Sequence, residues 1–200
     1  MVTAERFEVT KNGKTFAVIS ADSDGGLVDI YNMDGKPVTR LWADPLGGGL
    51  SIKQKGGNAA AQIAAVTDGA AMTMFNKAGH AVVVVGAQKN NGGGGLSVCN
   101  NLGSDVAELT SELTGGAMTI RNNLKKAAAL IACQPNDAGG SLTIYNKAEK
   151  EVASLFAQTT GGALGVKDNS DHVAAMLFSG IAGGQAVIKN PGGQTLFKAP

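Results

Sequence analysis

Aromatic side chains are scarce, at 4% of 200 residues, with one Trp, two Tyr and six Phe in the whole chain. Any core must therefore be thin and built from Val, Ile, Leu, Met and Ala, without large aromatic anchors. Cysteine is nearly absent. Cys99 and Cys133 fall at different positions of the repeat set out below, so no disulfide framework is expected, and two thiols without a matched His cluster make a poor metal site. A dominant charge is lacking too: 17 Lys and Arg against 16 Asp and Glu leave a net charge of +1, which provides no basic field for nucleic acid and no polybasic membrane signal. The longest apolar runs, Ala81 to Ala87 and Ala127 to Cys133, fall far short of the roughly 20 residues a membrane helix requires. No membrane span is expected. Met1 to Arg6 carries neither a basic segment nor an apolar one, so no signal peptide is expected either.

Glycine, by contrast, is abundant, at 29 of 200 residues, and it recurs with a period. An apolar-x-apolar step is found at Val28-Ile30, Leu50-Ile52, Met72-Met74, Leu96-Val98, Met118-Ile120, Leu142-Ile144, Leu164-Val166 and Ala186-Ile188. The spacings are 22, 22, 24, 22, 24, 22 and 22 residues. Counting each step from position one, position five reads Asn32, Gln54, Asn76, Asn100, Asn122, Asn146, Asp168 and Asn190. Position eight is Gly35, Gly57, Gly79, Gly103 and Gly193, with Lys125, Glu149 and Asp171 as exceptions. Positions eleven and fourteen are apolar almost throughout, as in Val152 with Leu155. Position sixteen is small, from Ala43 to Ser179, and a Gly pair such as Gly139-Gly140 or Gly161-Gly162 closes most units. The extra residues of the longer units fall within Gln88 to Gly92 and Gln134 to Ala138, in linkers that tolerate insertion.

Alternation in Leu142-Thr143-Ile144-Tyr145-Asn146 predicts a first strand with one face inward. Asn32-Met33-Asp34-Gly35 and its equivalents suit a type I turn followed by a left-handed residue, the three-residue hairpin loop with a Gly bulge. Asn can accept from the backbone two residues on, and Gly takes positive φ without a steric penalty. The step of three between positions eleven and fourteen predicts a β-bulge in every return strand, and hence curvature. An opening unit, Phe7 to Gly26, turns at Lys11-Asn12-Gly13-Lys14. The expected fold is all-β: about nine tandem hairpins and 18 short strands over residues 1–200 as a single repeat domain, forming a curved or prism-like meander. The alternative is a parallel β-solenoid with one coil per unit and a ladder of stacked position-five Asn.

Only one face is strongly apolar, and Ile144 and Leu155 are expected to be buried on it. It must be covered by curling of the sheet, by packing of two halves, or by identical chains. Self-association is therefore the expected partner interaction, with a homotrimer as one form. Gly25 to Leu41 and Gly139 to Ala157 look like the Gly-Gly-rich hairpin repeats of uncharacterised bacterial proteins. In length and strand-turn-strand layout the unit is also similar to MORN repeats, a resemblance that would imply lipid or scaffold binding. The Tyr-x-Gly-x-Trp core of that family is absent, and only Trp42 occurs.

His80 and His172 both stand at position nine, where other units have Lys36, Asn58 or Gln194, which marks them as solvated turn residues. No Ser, Cys or Lys has a local partner that would make it a nucleophile. Gly92-Gly93-Gly94-Gly95 lacks the Lys-Ser/Thr and helix of a phosphate loop, and Asp24, Asp34, Asp44 and Asp68 lie in turns without the six to eight oxygen ligands calcium requires. No catalytic, cofactor-binding or metal residue is assigned, so the chain is expected not to be an enzyme and to need no cofactor. The function expected is that of a structural repeat module, a shaft or fibre component of an oligomeric surface or phage-like assembly. The alternative is a lectin- or scaffold-like module that binds carbohydrate or another protein. Either role favours an extracellular or virion-surface location, reached by another export route, by lysis or within a longer parent chain.

Overall fold

The computed structural model describes residues 5–67, 69–87, 93–112, 115–134, 139–159, 161–181 and 183–200. Among the described residues there are eighteen strands, and no helix long and apolar enough to cross a membrane. The chain divides into two compact units, Met1–Ser104 and Asp105–Pro200. The first holds β1 (Arg6–Lys11), β2 (Lys14–Ala21), β3 (Gly26–Tyr31), β4 (Pro37–Asp44), β5 (Gly47–Lys53), β6 (Ala59–Val66), β7 (Gly69–Phe75), β8 (Ala81–Ala87) and β9 (Gly94–Cys99). The second holds β10 (Asp105–Glu112), β11 (Gly115–Arg121), β12 (Ala127–Cys133), β13 (Gly140–Tyr145), β14 (Glu151–Gln158), β15 (Gly161–Lys167), β16 (Val173–Gly180), β17 (Gly183–Lys189) and β18 (Thr195–Ala199).

Within each unit every strand pairs antiparallel with the next in sequence. The units are hairpin meanders, and the parallel coils of a solenoid are not formed. Among the described residues no pairing joins β1 to β9 or β10 to β18, so neither unit closes on itself as a prism or barrel. The insertions in residues 88–92 and 135–138 lie outside the described residues.

The position-five turn builds each hairpin. Gly79 N donates to Asn76 O at 3.0 Å, and Asn76 N donates to His80 O at 2.9 Å. The same two backbone bonds recur from Asn32 to Asn190, including the turn that begins at Gln54. Where position five is Asn or Asp, its side chain adds to them: Asn76 Oδ1 accepts from Ala78 N at 2.9 Å and His80 N at 3.0 Å, and Asn146 Oδ1 accepts from Ala148 N and Lys150 N. One short side chain thereby satisfies two amides that would otherwise face away from any partner in the tight turn. Position eight is left-handed throughout, with φ 86° at Gly79 and φ 63°, 60° and 69° at Lys125, Glu149 and Asp171. The opening hairpin differs. Lys11 pairs directly with Lys14, and both Asn12 (φ 51°) and Gly13 (φ 74°) are left-handed, which is the two-residue type I′ turn favoured by Asn-Gly.

The recurrent bulge is present. Pairing slips by one residue between Ile30 and Tyr31, Ile52 and Lys53, Met74 and Phe75, Ile120 and Arg121, Ile144 and Tyr145, Val166 and Lys167, and Ile188 and Lys189. At the open end of six hairpins, a Gly at or just before the start of the first strand lies under the small residue at position sixteen. A Cβ on Gly139 would strike Ala157, and one on Gly115 would strike Cys133. Position sixteen is small and its partner is Gly because the two strands leave no room between them there.

No atom lies within 4 Å of where a Gly79 Cβ would stand, so substitution there is opposed by conformation and not by collision. Gly79→Val should lower unfolding stability by on the order of 1 to 3 kcal/mol, whereas Lys125→Gly should raise it by up to about 1 kcal/mol by relieving a left-handed Lys. Urea midpoints of the two variants check this, and equal losses from both would contradict a shared turn geometry.

Candidate interaction surface

Alternation along the strands and the observed register together sort side chains onto two faces. In the second unit one row runs Met118, Ile131, Leu142, Leu155, Leu164, Leu177 from strand to strand, and beside it Ile120, Ala129, Ile144, Ala153, Val166, Ala175, Ile188 form a second. The first unit repeats the arrangement with Val28, Leu41, Leu50, Ile63, Met72, Val85 and, beside it, Ile30, Thr39, Ile52, Ala61, Met74, Val83. At these register positions, neither unit has an Asp, Glu, Lys or Arg. This aliphatic face is the one on which burial was expected, yet Ile144 is 38% and Leu155 53% exposed. The physical reason is that each unit is a single layer, so among the described residues no second layer of the same unit lies over the face.

Among the described residues the buried side chains all belong to the opposite, mixed face. Val18 pairs with Glu8 and Asp29, Ser51 with Arg40 and Gln62, Ala163 with Phe156 and Phe178, and Val187 with Met176 and Lys198. In three of these four sites the register sets a short or medium side chain between two longer ones on the flanking strands. The Trp42 indole covers Gly49, leaving no space for a Cβ. The long side chains of one strand thus supply the cover that a second layer provides elsewhere.

Two bidentate ion pairs lie on this face. Asp29, only 3% exposed, accepts from Arg40 Nε and Nη2, both at 2.8 Å, in a bidentate bridge. Those hydrogen bonds raise the Arg40 pKa above its ordinary value. Arg121 reaches Glu108 through Nη2 at 2.6 Å and Nε at 2.8 Å, with the Glu108 carboxylate more open to water than that of Asp29. Neither pair was read from the sequence. The signal is there as opposite charges at positions two and thirteen of one unit (Asp29, Arg40) and at thirteen and the following position four (Glu108, Arg121), but it becomes legible only once the register is known.

The polar residues singled out in the sequence stay apart. His80 is exposed beside its own turn, and its backbone N–H is held by Asn76. His172 Nδ1 lies 3.4 Å from Asp168 Oδ2. Asp44 Oδ1 accepts from Leu46 N and Gly47 N, and Asp34 faces Lys55 at 3.3 Å. Asp24 is exposed, Cys133 rests on Gly115, and Cys99 is half-buried at position four. Asp68 and Gly92 lie outside the described residues. Among the described residues no three His, Cys, Asp or Glu side chains converge as a metal site would require. The extended uncharged face, exposed within each unit, is the larger feature of the described residues. Neither a known family model nor a curated protein sequence matches the chain.

Removing Arg40 would leave the Asp29 carboxylate buried and unpaired, so Arg40→Ala should cost about 2 to 3 kcal/mol of unfolding free energy, and Arg121→Ala, beside a more hydrated Glu108, about 1 kcal/mol. Denaturant titration of both variants tests the order. Hydrogen bonds from the backbone N–H of His172, and then of Ser170, lower the Asp168 pKa. A folded-state pKa below the unfolded value means that the turn gains stability above the ordinary carboxylate range and loses it as pH falls through the lowered pKa. Asp168→Asn, which lacks the charged form, should be less stable than the wild type at neutral pH and converge on it below about pH 4, as read from urea midpoints across that range.

Proposed function

We propose that the chain is a structural repeat module, a shaft or fibre component of an oligomeric surface or phage-like assembly, in which copies of the chain cover one another's aliphatic face. The observation that carries this reading is the uncharged aliphatic face itself, sustained strand after strand with its bulky members other than Leu142 38% to 55% exposed in the second unit. An isolated sheet with such a face loses the burial that would offset its conformational entropy, and a repeat array gains it by stacking or association. A homotrimer with the faces turned toward a three-fold axis, a prism made of three chains, is one form of the assembly. The reading assigns no reaction and no cofactor to the chain.

A second reading, a protein- or carbohydrate-binding module, draws on a different feature. Met33, Leu102 and Leu124 stand exposed at hairpin tips, and within each unit antiparallel succession places every position-five turn along one edge. Exposed apolar tips of this kind suit a partner chain. Size-exclusion chromatography with light scattering separates the two: the structural reading predicts an elongated, stable oligomer at micromolar concentration. A compact monomer that keeps its full β-sheet circular dichroism at that concentration would favour the binding module.

A further inference from the structure

Resting on the self-association just argued, we propose that the aliphatic face of the second unit is a homotypic docking surface, on which the same face of a second copy packs with the bulky residues of each set over the alanines of the other. Three observations lead to this occupant. The first is charge: with no ionisable Asp, Glu, Lys or Arg at its register positions, the face has nothing to offer a phosphate backbone, an anionic headgroup or an acidic peptide. The second is area. Apart from Leu142, its bulky members are 38% to 55% exposed and together present on the order of 800 Å² of surface, comparable with the about 800 Å² per partner in a stable interface and above the 300 to 600 Å² of the largest patch on a typical monomer.

The third is relief. In the row running through Ile120, Ile144, Val166 and Ile188, every second strand contributes Ala129, Ala153 or Ala175. Strands lie about 4.8 Å apart, so the bulky residues make ridges about 10 Å apart with alanine-floored grooves between them. A partner that fits must carry ridges at the same spacing, and a second copy of this sheet does so by construction. Two faces related by a two-fold axis and offset by one strand place each ridge in a groove, and the contact is then the same patch on both subunits. Two packed sheets also stand at the separation that side chains of this size fill.

Light scattering on the full chain tests the proposal with two substitutions on adjacent residues of β14 that point to opposite faces. Ala153→Glu puts a carboxylate on a groove floor. Ser154→Glu puts one on the mixed face, at the repeat position that Glu108 already occupies. The expected result is a wild-type assembly of paired copies, an Ala153→Glu chain that is monomeric with unchanged far-ultraviolet dichroism and at least 100-fold weaker association, and a Ser154→Glu chain that associates like the wild type. Should Ala153→Glu lose its β signal, Ala153→Leu, which fills the groove without charge, decides in its place, and undiminished association of a folded Ala153→Leu overturns the proposal. A wild-type oligomer that survives Ala153→Glu and is broken by Ser154→Glu also overturns it, while leaving self-association intact. A trimer disrupted by Ala153→Glu keeps the face but refutes pairwise packing. A wild-type monomer refutes both the docking and the reading beneath it, and flotation with phosphatidylcholine vesicles that Ala153→Glu abolishes would assign the face to lipid instead.

Discussion

The four-residue turn that begins at position five is the constraint on which the rest depends. Its two backbone bonds and the side-chain oxygen of Asn or Asp fix where each hairpin reverses. In a hairpin the turn sets the register, and a slip of one residue would carry every side chain to the other face. Sorting of charge therefore begins at the turn. Because Asn146 and Glu149 close their loop as they do, Ile144 lies opposite Ala153 and Leu142 opposite Leu155, and the aliphatic rows form. The bulge that follows absorbs one residue without disturbing that order. At the other end of the hairpin, the contact of Gly139 with Ala157 holds the strands close and limits what position sixteen can carry.

A single-layer sheet must find burial without a second layer, and the mixed face does so by side-chain length. Arg40 and Trp42 lie over Asp29 and Gly49, and Phe156 and Phe178 flank Ala163 in the register, neighbours 7 to 15 residues apart in sequence. Such burial is local, so each hairpin contributes to the stability of the next. The aliphatic face has no such cover within its own unit. Its branched and straight-chain residues hold the pleat through cross-strand contacts and leave much of their surface exposed.

The period, the turns, the bulge and the eighteen strands were legible in the sequence because each rests on residues close together: Asn with a left-handed residue three positions later, and a step of three where alternation predicts two. The burial of the two faces was not. Aliphatic residues are read as interior because they usually are, but in a layer one strand thick that rule names the face that needs a partner. The Asp29 to Arg40 bridge escaped notice for a related reason, since residues 11 apart become neighbours only when register is known. Lys125, Glu149 and Asp171 looked like lapses of the repeat, yet they adopt the glycine conformation because the rest of the turn imposes it.

The central claim, that the uncharged face is an interface between copies, is tested most directly by isotope-filtered methyl spectroscopy. The sample is an equal mixture of chains labelled at Ile and Leu methyls and unlabelled chains. The account predicts intermolecular nuclear Overhauser effects at the methyls of Ile120, Ile144, Ile188 and Leu155, with no such effects on the mixed face at Leu130. Methyls of Ile144 and Leu155 that show only intramolecular contacts, and that a soluble paramagnetic probe reaches at the same concentration, would contradict it.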